Sequence, residues 1–246
     1  MNLVVKIKRT ESPLARAALL RLAAAPHFAA RGHLIRGWKV RRYLATESRP
    51  RLHVGSGPVR LPGWLNSDLI SGDIRLDAGR RMPLPAESFD YAFGEHLIEH
   101  LSLSKAELML AELHRVLRPG GVLRLTTPDL KQVIAIYEDG NPVVSRERYT
   151  RYLAGLTGKR YNSPCQVLND YLRLWGHRYV YDEEDLTARL LAAGFADIVR
   201  VNPGESTHEA LRHVERHGGE EWVNRAEAMC LEATRVESSS TRSAAR

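Results

Sequence analysis

The chain has little cysteine: only Cys165 and Cys230 occur in 246 residues, far apart and in no metal-ligand spacing. A disulfide scaffold and a cysteine-ligated metal centre are thereby excluded, and the pair is read as buried thiols in a reducing, cytoplasmic compartment. No apolar run is long and uninterrupted enough to span a bilayer, and no apolar core followed by a cleavage site opens the chain. Acidic residues are scarce in one place. Residues 1–51 hold 12 Lys/Arg and 2 Asp/Glu, so the whole formal net charge of +7 comes from this fifth of the chain. What is present is an ordinary globular composition, sized for one α/β domain with additions.

The acid-poor segment, "SPLARAALLRLAAAPHFAARGHLIRGWKVRRYL", reads as a basic helical extension over residues 1–47, broken near Pro26 and Gly32. Two placements compete: helices packed on the main domain with a solvated basic face, or attachment to an anionic membrane surface. A transit peptide is a third. A main domain is expected over 48–236, and the polar "ESSSTRSAAR" of 237–246 is expected to be disordered. The pI of 9.6 raises nucleic acid as a partner. The charge lies outside the sheet core, however, and no basic–aromatic stacking motif appears, which argues against it.

From Arg51 onward, short apolar strands alternate with helical stretches, the pattern of a parallel sheet with crossovers. Strands are expected at 51–54, 64–68, 73–77, 88–94 and 122–127. A helix over 104–117 starts with Ser104 as cap and Glu107 completing a capping box, and "RPGG" at 118–121 stops it. Thr127 and Pro128 open the next helix. Residues 139–176 lack periodicity and read as an irregular insertion over one end of the sheet; a helix at 182–195 and a final strand pair follow.

The stretch "LHVGSGPVRLPGWLNSD" carries the first chemical signal. Gly55 and Gly57 follow strand one, where bare backbone lets N–H groups approach a ligand. Asp68 ends the neighbouring strand, so its carboxylate faces the same crevice and can accept hydrogen bonds from a ribose diol. A dinucleotide fingerprint is not met: its third glycine position holds Arg60, and Asp68 comes too early.

With "LDAGRRMPLPAESFDYAFGEHLIEHL", "ELHRVLRPGGVLRLTTPDL" and "HRYVYDEEDLTARLLAAGF", the chain resembles the class I S-adenosylmethionine-dependent methyltransferases, in their methyltransferase-11-like branch, over roughly 48–203. The resemblance implies a Rossmann-like α/β sheet, mostly parallel with an antiparallel C-terminal strand, with N-terminal helices added. It implies S-adenosyl-L-methionine as cofactor. Gly55, Ser56 and Gly57 match the glycine motif beside the methionine part. Asp68, with Leu69 next to it, matches the ribose acid, Asp77 and Ala78 the adenine pair, and Gly94 and Glu95 the methyl-donor side. Two departures stand out: His53 replaces an acid, and Val59 a small residue, which suggests a trimmed first crossover.

"GEHLIEHL" places Glu95, His96, Glu99 and His100 beside the expected sulfonium. A histidine near its ordinary pKa suits removal of a proton, and His96 is the expected catalytic base. A site of two histidines with Glu99 is the metal alternative; no metal is expected. His177 is read as a supporting residue of a closing segment, and His213 and His217 as the solvated face of a charged helix. Asp129, Tyr137, Tyr161, Asn162 and Tyr171 are polar candidates for the acceptor region. The expected reaction is O-methylation of a sugar or other small hydroxylated acceptor. The alternative is a catalytically silent methyltransferase-like binding or partner module.

Overall fold

The computed structural model describes residues 36–216 and 221–236. Seven strands form one sheet in the order β3-β2-β1-β4-β5-β7-β6. They are β1 (Arg51–Val54), β2 (Leu65–Asp68), β3 (Ile74–Arg75), β4 (Phe89–Glu95), β5 (Leu117–Pro128), β6 (Phe195–Val201) and β7 (Ala228–Arg235). β1 pairs in parallel with β2 and β4, and β4 with β5; only β7 runs antiparallel to its neighbours β5 and β6. The expected sheet is therefore present, with its order reversing between β1 and β4, where open α/β sheets bind ligands.

Strand alternation sends Leu52 and Val54 to one face and His53 to the other. The first face is covered by helix α1 (36–46), by α2 (Leu103–Val116) and by α6 (Glu183–Ala192), which contribute Val40, Leu110 and Leu186 to the main core. Tyr43 of α1 ties the extension to the domain: its hydroxyl bonds Arg51 O and Gly63 O at 3.0 and 2.9 Å. Residues 1–35 of the basic extension and the 237–246 tail lie outside the described residues.

The other face has no helix between β1 and β2. Parallel strands ordinarily need a crossover of a dozen or more residues; here residues 55–64 suffice. Asn66 holds that link together. Its Oδ1 accepts from Leu61 N at 2.9 Å, and its Nδ2 donates to Leu61 O, Trp64 O and Asp73 Oδ2. The area a crossover helix would cover is filled by a strap, residues 202–216, whose Leu211 and Val214 pack on Trp64, Tyr91 and Phe93. Arg124 of β5, with no side-chain exposure, fastens the strap to the sheet: it pairs with Glu215 of the strap and with Glu232 of β7, at 2.6 Å each.

Several local expectations are corrected. Residues 139–176 are not irregular: α4 (Arg146–Thr157) and α5 (Pro164–Arg173) join α3 (Leu130–Glu138) and α7 (Glu221–Glu227). They share a second core of Val133, Ile136, Tyr149, Leu153, Val167 and Tyr171. Tyrosines supply part of its apolar face, which blurs the helical period. Helix α2 is capped from Ser102, not Ser104, because Lys105 N and Ala106 N both bond Ser102 O. Helix α3 is capped by Asp129, which accepts from Lys131 N, while Thr127 and Pro128 stay in β5. "RPGG" does follow the helix, as a bulge: Leu117 pairs with Phe89 and Val122 with Tyr91, leaving four residues opposite Asp90. The third strand is shorter than expected. Cys230 is buried but Cys165 is exposed. His213 sits on non-helical strap backbone, exposed and left-handed, not on a helix; His217 lies outside the described residues.

Candidate active site

At the carboxyl ends of β1 and β2 the glycine turn meets the acid. Gly55 and Gly57 have φ of +69° and +53°, a region L side chains avoid. They are bare for different reasons. A Cβ on Gly55 would strike Leu97 Cδ2 at 2.7 Å, whereas one on Gly57 would meet nothing within 4 Å. Gly57 thus presents open backbone to the crevice, a cradle that fits a ligand. Asp68 Oδ2 accepts Gly57 N–H at 3.3 Å across the crevice, leaving capacity for a ligand hydroxyl. Its Oδ1 accepts from Ile70 N at 2.8 Å and Ser71 N at 3.0 Å. Burial alone would raise this carboxyl, but the hydrogen bonds from Ser71, Ile70 and Gly57 outweigh it and hold its pKa below the ordinary value.

The other expected cofactor residues line up along the same sheet edge. Ser56 is buried, its N–H bonding Ser67 O at 3.0 Å. Leu69 is exposed beside Asp68. Asp77 and Ala78 follow β3, and Leu76 N bonds Asp68 O at 2.9 Å, so the segment turns directly past the acid. Asp77 is engaged by its own turn, accepting Gly79 N–H and pairing with Arg80. Gly94 lies beside Val54 in the β1–β4 pairing. Glu95 next to it accepts the Arg216 N–H at the end of the strap, at 3.0 and 3.1 Å. His53 does not face this crevice: it is buried on the strap side, stacked on Phe93 with its Nδ1 3.1 Å from Asn66 Oδ1. Burial lowers its pKa despite the Asn66 contact.

Beyond β4 a cavity of about 490 Å³ opens under the helical cap. His96, His100, His177, Tyr149, Tyr171 and Glu227 are among its lining residues. His96 holds a left-handed φ of +46°, fixed by its N–H to Thr126 O at 2.8 Å, and its Nδ1 lies 3.2 Å from Glu99 Oε1. Glu99 is fully buried, and its Oε2 accepts the Thr127 hydroxyl at 2.9 Å. Burial works against charge on both groups, but their contact prevails: the imidazole is raised above its ordinary value and the carboxyl lowered.

Glu227 is the residue the sequence did not flag. It stands where the final strand begins in the sequence, yet it ends α7, lines the cavity and accepts the Tyr149 hydroxyl. Burial, more than Tyr149 or His96 can offset, pushes its carboxyl up to about 7. With the folded value above the ordinary 4.5, folding favours the protonated form. The associated stability is complete below pH 4.5 and lost as pH rises through 7, a change on the order of 3 kcal/mol. Urea unfolding of the wild type should weaken across that window, and Glu227→Gln should flatten the dependence.

Of the polar candidates, only Tyr171 lines the cavity. Asp129 caps α3 and pairs with Arg200 at 2.8 Å, and the Tyr161 hydroxyl serves Asp170. Asn162 is exposed, and Tyr137 lines a separate small pocket.

The sheet order, the glycine turn with its facing acid and the adjoining cavity make up an open α/β domain with a ligand crevice at the point where its strand order reverses. Within it, residues 52–125 match the family described as methyltransferase domain. No curated protein matches the sequence. Solved structures similar to the chain include Haemonchus contortus phosphoethanolamine N-methyltransferase 2, with phosphomonomethylethanolamine and S-adenosylhomocysteine. It is 13% identical with a TM-score of 0.45, over 85% of this chain and 53% of that one. The chain thus spans about half that protein's length. A possible histamine N-methyltransferase of Thermotoga maritima is 14% identical, TM-score 0.44, over 87% and 97% of the two chains. A Mesorhizobium loti S-adenosylmethionine-dependent methyltransferase is 17% identical, TM-score 0.45, over 76% and 90%.

Proposed function

We propose that the chain transfers the methyl group of S-adenosyl-L-methionine to a hydroxyl of a small acceptor, a sugar or similar molecule, held in the 490 Å³ cavity. The observation that carries this reading is the Asp68–Gly57 contact, which frames a nucleoside site beside that cavity. Asp68 would hold the ribose diol, Gly55–Gly57 the methionine part, and Asp77 and Ala78 the adenine. His96, the first residue after β4, lines the cavity and would face the methyl group.

In the proposed reaction the acceptor oxygen attacks the methyl carbon in line with the sulfonium. The S–CH₃ bond breaks with its electron pair left on sulfur, giving S-adenosylhomocysteine, and the hydroxyl proton passes to His96. Glu99 orients the ring and makes it the stronger proton acceptor. The cavity walls exclude water and align the acceptor, which is most of what such a displacement needs. Tyrosine and histidine donors suit a hydroxylated molecule better than a flat apolar one. The size of the cavity suits a small molecule. Placement of the basic extension on an anionic membrane would concern residues 1–35, and among the described residues no helix is long and apolar enough to cross a membrane.

Calorimetry with S-adenosylhomocysteine tests the reading. Wild type should bind, and Asp68→Ala should bind roughly 10- to 150-fold more weakly, the loss of one hydrogen bond to the charged Oδ2. Equal affinity of the two proteins would refute the assignment of the nucleoside site. No heat with wild type would favour the silent partner module.

A further inference from the structure

We propose that Glu99, His100 and His177 form a binding site for one divalent first-row transition-metal ion, with its open positions facing the cavity. One donor atom from each residue lies within 4.8 Å of the other two, and His100 Nε2 stands 4.0 Å from Glu99 Oε1. Donors on a tetrahedral ion with bonds of about 2.1 Å sit roughly 3.4 Å apart, so modest side-chain rotation closes the set. Two imidazoles and one carboxylate suit zinc, cobalt or iron, and three protein ligands leave positions for an exogenous oxygen.

The supports around the ligands fit the same reading. His177 Nδ1 lies 2.9 Å from Tyr171 O, so the proton sits on Nδ1 and the Nε2 lone pair is left for a ligand. The Thr127 hydroxyl holds Glu99 Oε2, turning Oε1 toward the histidines. These are the carbonyl–imidazole and hydroxyl–carboxylate contacts that orient metal ligands. His177, far along the chain, is pinned in place by backbone. Arg178 N and Tyr179 N both donate to Glu99 O, at 2.7 and 3.2 Å, and Trp175 and Gly176 turn the chain back with φ of +58° and +83°. His100 and His177 both line the cavity, and their rings lie 5.1 Å apart, edge to face. Where the GEHLIEHL stretch pairs His96 and His100 with Glu99, the structure instead brings His177 beside His100 and Glu99. His96 instead faces Glu99 through Nδ1.

The role of the ion rests on the cavity being the acceptor site. An acceptor hydroxyl bound to the ion would lose its proton more readily, and the ion would fix which oxygen meets the methyl group.

Full-length protein stripped with a chelator and titrated with Co²⁺ or Zn²⁺, in parallel with S-adenosylhomocysteine, tests the site. One equivalent of Co²⁺ should bind and give the visible absorption of a four- or five-coordinate ion. His100→Ala and His177→Ala, both at solvent-accessible positions, should each weaken uptake at least about 100-fold. Thr127→Val should weaken it about 10- to 100-fold, and none of the three should change S-adenosylhomocysteine affinity more than about threefold. Absence of stoichiometric uptake, or uptake that survives His177→Ala, would overturn the proposal. Stoichiometric, His177-dependent uptake without any S-adenosylhomocysteine binding would support the metal site and count against the methyltransferase reading instead.

Discussion

Replacing His96 by alanine is expected to lower kcat by about 10²- to 10⁴-fold, the usual contribution of a positioned general base, with KM and cofactor affinity little changed. The geometry sets this expectation. His96 follows β4 and lines the cavity, and its ring is held by a fully buried carboxylate 3.2 Å away. The backbone there is left-handed, so part of any defect could come from local strain. His96→Asn separates the two, because asparagine tolerates that conformation but cannot accept a proton. Release of S-adenosylhomocysteine with a panel of sugars and phenols is the measurement. Turnover by His96→Asn within threefold of wild type would remove His96 from the chemistry.

Replacing Arg124 by alanine is expected to cost about 3–5 kcal/mol of stability, or a fall in Tm of roughly 6–20 °C. The guanidinium has no exposure and makes ion pairs of 2.6 Å with both Glu215 and Glu232. It also donates to Glu205 O at 2.8 Å. Burial disfavours its charge, but Glu215 and Glu232 more than compensate and raise its pKa. Without it, two buried carboxylates face each other uncompensated. Substituting leucine at Glu215 and Glu232 together with Arg124→Met should recover most of the loss, as apolar replacement of a buried ionic cluster often does. The single variant should also loosen the strap, and with it the Arg216 N–H that holds Glu95 at the end of β4. Weaker S-adenosylhomocysteine binding in Arg124→Ala than in the apolar triple variant is the second readout.

Strands β1, β4 and β5 were legible because their apolar alternation and flanking glycines are local signals. The same holds for the crevice: Gly55, Gly57 and Asp68 lie at strand ends, and a parallel sheet brings strand ends to one edge whatever covers its faces. The cap was misread because α4 buries only Tyr149 and Leu153, while Leu156 is exposed and arginines and Glu147 fill the first turns, so no apolar period stands out. Glu227 was invisible for a different reason. Its character comes from burial, about which a glutamate beside a strand pattern says nothing.

The sequence by itself determined the strands of the sheet and the glycine turn facing Asp68, since each depends on residues close together in the chain and on backbone freedom that only glycine has. Only the tertiary structure decided that a strap replaces the first crossover helix, that Glu227 titrates near neutrality, and that His177 stands beside Glu99 and His100. Those outcomes depend on which distant segments share a low-dielectric space, and packing, not spacing along the chain, sets that.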